Sequence, residues 1–125
     1  MAPQRRFAVR VATDMPLAWC IVDAGGCAGA PTAATCVDIS SSGIAFVSKA
    51  GAQLDDGILI QLDHALLASG LAVHARVVRV TRSAGGYRLA AAFEALDSAR
   101  RAMLGRFVIT LMPPRLPEGS RPAIL

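Results

Sequence analysis

Between Leu71 and Val80 the chain places an apolar residue at every second position, Leu71, Val73, Ala75 and Val77. The pattern then slips by one at Val78, and Val80 takes over. A period of two turns one face of an extended strand to a core and the other to solvent. A one-residue slip that keeps the pattern predicts a β-bulge in a curved strand. The same alternation runs through Val9, Val11, Thr13, Met15, Leu17, Trp19 and Ile21, with Pro16 at an edge or a bend. It returns in Ile58, Ile60 and Leu62, and in Tyr87, Leu89, Ala91 and Phe93. Two shorter strands, Thr35 to Ile39 and Ile44 to Ser48, complete a set of six. The stretches "DAGGCAGAPTAA", "KAGAQLDDG", "HALLASG" and "SAGG" between them read as loops and turns, the first a flexible one.

After Phe93 the period changes. Ala99, Met103, Phe107 and Leu111 recur at steps of four with Leu104 and Val108 alongside, and Asp97 is a favourable N-cap. Gly105 inside this helix costs about 1 kcal/mol relative to alanine, so it marks either close packing or tolerance. Six strands with local connections and one closing helix predict a mostly β fold, a six-stranded antiparallel β-barrel closed by a C-terminal α-helix. We place one domain at 1–112, with an arginine arm at 4–10, the barrel at 9–94 and the helix at 97–112. The tail, 113–125, holds four of the seven prolines and is expected to be flexible.

The composition narrows the function classes. A chain of 125 residues can bury a core without staples. Although 54% of residues are hydrophobic, no apolar run approaches the roughly 20 residues of a membrane-spanning helix. The opening "MAPQRRFAVR" has no apolar h-region, so a cytoplasmic protein is expected. Cys20, Cys27 and Cys36 are odd in number and lack metal-ligand spacing, and His64 and His74 do not complete a zinc site with them. Free thiols, no metal and no resident cofactor are the expectation. Net charge is +4, carried by twelve arginines and Lys49. Arg5, Arg6 and Arg10 crowd the start of the chain, with no acid before Asp14. Arginine's planar fork suits phosphates and guanine edges.

Two motifs give this basic arm a counterpart. Arg6 and Arg10 form Arg-x-x-x-Arg; Asp38, Ser40 and Gly43 form Asp-x-Ser-x-x-Gly within "DISSSGIAF". Taken singly, the first is a solvated basic arm and the second an Asx-type turn. In this order, on a six-strand barrel with a closing helix, the pair resembles the PilZ domain, a receptor for the bacterial second messenger cyclic di-GMP, over residues 4–112. The resemblance implies that Arg6 and Arg10 hold phosphate and guanine while Asp38, Ser40 and Gly43 form the platform below. It also implies that Arg5, which extends the motif to "RRxxxR", accompanies an intercalated ligand dimer. The stretch "RLAAAF" departs from the family pattern, which has a glycine ahead of the phenylalanine, and the loop before the second motif is longer.

The chemistry is complementary to such a ligand. A guanine's Hoogsteen edge offers O6 and N7 to a guanidinium, and its N1–H and N2–H can donate to a carboxylate such as Asp38. Ser40 can donate to a base or phosphate oxygen, and Gly43, with no Cβ, permits a positive φ and close backbone approach. Arg76 and Arg79 could extend the positive surface, and His74 reads as a surface residue. Trp19 is expected in the core, and Asp55 and Asp56 in a turn. Ser40 lacks the base and orienting acid of a nucleophile, and no phosphate-cradling GxxxxGK[ST] loop is present, so an enzyme is not expected. The expected function is cyclic di-GMP binding, relayed to a downstream protein effector by ordering of the N-terminal arm. The alternative is a PilZ-like interaction adaptor with weak or no nucleotide binding. A nucleic-acid partner is disfavoured because only six aromatics exist, and most sit at core-facing positions.

Overall fold

A computed structural model describes residues 10–64, 67 and 70–112. In chain order its elements are β1 Val11–Ala12, β2 Pro16–Asp23, β3 Gly26–Cys27, β4 Thr32–Ile39, β5 Gly43–Ser48, β6 Gly57–Leu62, β7 Leu71–Ser83, β8 Gly86–Glu94 and α1 Ser98–Leu111. Six of the strands close a ring: β2, β4, β5, β8, β7 and β6 pair in that order, every pair antiparallel, and β6 returns to β2. The expected barrel with a C-terminal helix is therefore the observed fold. The short β1 extends the pairing of β4, and β3 adds a hairpin to β2.

The first expected strand is broken at the bend proposed for Pro16. The Met15 N–H bonds the Thr13 Oγ1 at 3.2 Å, and the chain resumes as β2 at Pro16. Both halves still run along β4, because Thr13 N donates to Val37 O and Cys36 N to Met15 O. Inside the barrel Trp19, Phe46, Ile58, Ile60, Leu62, Val73, Val77 and Leu89 are buried together. The Trp19 and Phe46 rings lie 5.6 Å apart, and the indole N–H finds a buried acceptor in Ser48 Oγ at 3.1 Å.

Helix α1 covers one end. Asp97 caps it, accepting from Arg100 N at 2.7 Å, and that backbone hydrogen bond lowers the Asp97 pKa from its ordinary value. Leu104, Phe107 and Val108 are its buried face. Phe107 meets the His64 ring edge-on at 5.3 Å, and Arg100 Nε ties the helix to Ala72 O at 3.2 Å. Met103, expected on the inner stripe, is exposed instead. A Cβ on Gly105 would meet open space, so that glycine is tolerated rather than required.

The cysteine expectation needs correction. Cys20 and Cys27 are joined as a disulfide, with Cα atoms 5.8 Å apart. The β2–β3 hairpin, which pairs Val22 with Cys27, folds the glycine-rich loop back and brings the two thiols together. Cys36 stays free and buried. Burial first, and the Asp38 charge second, push its thiol up to about 12. Among the described residues no helix is long and apolar enough to cross a membrane.

Candidate functional site

The site is built by strand register on the outer face of the barrel. Residues opposite one another on neighbouring antiparallel strands share a face of the sheet. Ala12 pairs with Asp38, Asp38 with Ala45, Ala45 with Ala90 and Ala90 with Arg79. These five residues form one row across β1, β4, β5, β8 and β7. In the adjoining row Arg88 lies between Val47 and Thr81.

Two irregularities put the charges on this row. In β4 the register shifts between Cys36 and Asp38. Cys36 and Ile39, three residues apart, are both wholly buried, which turns the intervening Asp38 outward where strict alternation would have turned it in. In β7 the register shifts between Val77 and Arg79, at the slip expected from the sequence. Val77 is buried and Val78 is 56% exposed, so the bulge moves Arg79 to the outer face as well. A bulge sacrifices regular pairing and re-aims a side chain; here both act on the same row.

Arg10 and Asp38, one from each sequence motif, are in direct contact: Nη1 lies 2.5 Å from Oδ1. Arg88 reaches the second carboxylate oxygen at 3.5 Å. Asp38 thus lies between two guanidiniums, which are more than half and half exposed respectively. Together with Arg79 they border a cleft of about 620 Å³ whose floor is Ala45 and Ala90, within the range of small-molecule sites. A slightly larger hollow of about 720 Å³ beside the β7–β8 turn is lined by one charged side chain, Lys49. With no convergent charge, that hollow is the weaker candidate.

Ser40 and Gly43 belong to the turn that follows Asp38 and are not among the residues lining the cleft. Ser40 is 2% exposed. Its N–H donates to Gly43 O at 2.8 Å, and its hydroxyl accepts from the N–H groups of Ser42 and Gly43 at 3.2 Å. It holds the turn from within. Gly43 is not among the glycines with positive φ. Its lack of a Cβ matters because one would stand 2.7 Å from Ala91 O of β8, so here glycine permits close strand approach. Arg5 and Arg6, and with them the expected ordering of the arm, lie outside the described residues.

Arg76, grouped with Arg79 in the sequence reading, proves different. Its guanidinium grips Glu94 through Nε at 2.7 Å and Nη2 at 3.4 Å, and Nη1 donates to Asp55 O at 2.8 Å. The hydrogen bond to Glu94 raises its pKa further above the ordinary value. Arg88 was not singled out from the sequence. Its signal was its place in alternation with Ala90, on the face opposite Leu89. Among the described residues no group of three or more His, Cys, Asp or Glu could hold a metal ion.

A small closed antiparallel barrel, capped by a helix and bearing a basic cleft on its outer wall, defines the structural class. The chain belongs to the PilZ family: the family model for the PilZ domain matches residues 4–110. Among solved structures it is similar to the PilZ domain with c-di-GMP of YcgR from Escherichia coli, with TM-score 0.64 and 14% identity over 86% of this chain and 92% of that one. It is also similar to the inhibitor of motility MotI/DgrA of Bacillus subtilis, with TM-score 0.64 and 15% identity over 86% of this chain. The MrkH–c-di-GMP complex of K. pneumonia matches with TM-score 0.64 and 15% identity over 88% of this chain. The chain spans about half of the latter two proteins, 51% and 53% of their lengths. No curated protein matches it by sequence.

Proposed function

We propose that this chain is a receptor for cyclic di-GMP that binds the ligand through Arg6 and Arg10 on one side and the Asp38 turn on the other. The observation that carries this reading is the contact between Arg10 and Asp38, residues 28 apart in sequence that belong to different motifs. Asp38 accepts from a guanine's N1–H and N2–H, the arginines meet phosphate and the guanine Hoogsteen edge, and Ser40 and Gly43 keep the turn in shape. Arg5 adds a further cation to the arm, which closes over the ligand and relays its presence to a protein effector in the cytoplasm. Such an ordering of a segment is a familiar switch. The reading is of a receptor rather than an enzyme, with Ser40 committed to its turn. Calorimetric titration with cyclic di-GMP tests it: heat at micromolar ligand for the unaltered chain and none for Arg10→Ala is expected, and no heat for the unaltered chain sinks it.

A second reading, an interaction adaptor indifferent to nucleotide, draws on Leu54 and Val78, which are 61% and 56% exposed and line a hollow with Arg79 beside the cleft. Capture of the same partner with and without cyclic di-GMP would favour it.

A further inference from the structure

We infer that Arg79, which lies in neither sequence motif, determines guanine specificity, and that one guanine lies flat on Ala45 and Ala90 between Asp38 and Arg79. The inference rests on the cyclic di-GMP reading and assigns a position within that site. Three observations carry it. The first is register: Asp38, Ala45, Ala90 and Arg79 occupy consecutive places in one outward row. Three strand spacings separate the ends, about 14 Å of backbone. The long arginine side chain spans part of that distance and leaves a gap suited to a fused-ring base. The second is the floor: Ala45, itself only 4% exposed, and the partly exposed Ala90 border the cleft with nothing larger than a methyl group, so a planar ring can approach the sheet closely there. The third is charge: among the described residues Arg76 is matched by Glu94 and Arg10 and Arg88 share Asp38, whereas Arg79 has no hydrogen bond or ion pair.

An exposed arginine without a partner is ordinary by itself. Here a bulge re-aims it, and a second bulge three strands away re-aims Asp38 onto the same row. A guanine between them has complementary groups on both sides. Its N1–H and N2–H face the carboxylate, and its O6 and N7 accept from the guanidinium fork. Adenine would present its N6 amino group to Arg79, a donor facing a donor, and would offer Asp38 no N1–H. Arg88, at 3.5 Å from Asp38, helps to hold that carboxylate in position.

Binding of cyclic di-GMP and cyclic di-AMP should be measured for the unaltered chain, Arg79→Ala, Arg79→Lys and Ala90→Leu, with thermal melting as a folding control. Arg79→Ala should weaken cyclic di-GMP by roughly ten- to hundred-fold and narrow its preference over cyclic di-AMP. Arg79→Lys keeps the charge and loses the fork, so it should show the same narrowing. Ala90→Leu, on the outer face, should obstruct the base while the melting temperature holds. If the unaltered chain binds cyclic di-GMP and Arg79→Ala and Ala90→Leu bind it equally well, this assignment is overturned and the receptor reading stands. Retention of full selectivity in Arg79→Lys also contradicts it. If the unaltered chain binds neither nucleotide, the receptor reading falls and the assignment with it.

Discussion

Two charged clusters on the outer wall of this barrel look alike in sequence and differ in arithmetic. On one, Arg76 and Glu94 match one to one, and the remaining guanidinium nitrogen is satisfied by the Asp55 carbonyl. On the other, Asp38 faces both Arg10 and Arg88, with Arg79 lining the same cleft from three strands away. The first cluster is internally satisfied. The second carries excess positive charge over an alanine floor, the condition for holding an anion with a flat apolar part. Exposed ion pairs contribute little to folding, so the difference should be seen in binding and not in stability.

The sharpest way to break this comparison is to remove one cation from each cluster. Arg10→Ala should lose roughly a hundredfold or more in cyclic di-GMP affinity, since charge-assisted hydrogen bonds are among the strong ones, with an unchanged melting temperature. Asp38→Asn should have a smaller effect on affinity, about tenfold, because it removes a guanine acceptor and at the same time frees Arg10 and Arg88. Its larger effect should be on selection, measured as the ratio of cyclic di-GMP to cyclic di-AMP binding.

A pH series separates the clusters in another way. Cys36 lies beneath the Asp38 cluster, its Sγ 3.4 Å from Asp38 O, and its thiol is raised from 9.0 to about 12. The folded state therefore keeps a proton that the unfolded chain gives up first. This contribution is fully present below about pH 9 and is lost as pH rises toward about 12. Urea midpoints measured across that window should fall more steeply for the unaltered chain than for Cys36→Ala. The smallest effect belongs to Glu94→Gln, which should bind cyclic di-GMP like the unaltered chain. A loss comparable to that of Arg10→Ala would erase the distinction between the clusters.

Much of the barrel was legible because alternation is a direct image of burial. Leu71, Val73, Ala75 and Val77 are all inside, and the slip at Val78 is the observed bulge. The bulge in β4 was hidden, because the chain through Cys36, Val37 and Ile39 is apolar at neighbouring positions and shows no clear slip. The disulfide was hidden for a different reason. Spacing along the chain does not report the pairing of β2 with β3, which brings Cys20 to Cys27. At the site, the motifs named Arg10 and Asp38 but could not separate Arg76 from Arg79. That separation depends on Glu94, eighteen residues downstream of Arg76, and on which side of a bulge each arginine falls. Gly43 was recognised, but its reason, the closeness of the Ala91 carbonyl, comes from a strand nearly fifty residues away.

The place proposed for cyclic di-GMP is the row from Asp38 to Arg79. Following the backbone amide signals by NMR during a cyclic di-GMP titration tests it most directly. Amides of Asp38, Ala45, Arg79 and Ala90 should move together and saturate at one ligand concentration, while those of Arg76 and Glu94 hold still. Shifts confined to the β7–β8 turn around Lys49 and Gly85, or no shifts at all, would contradict it.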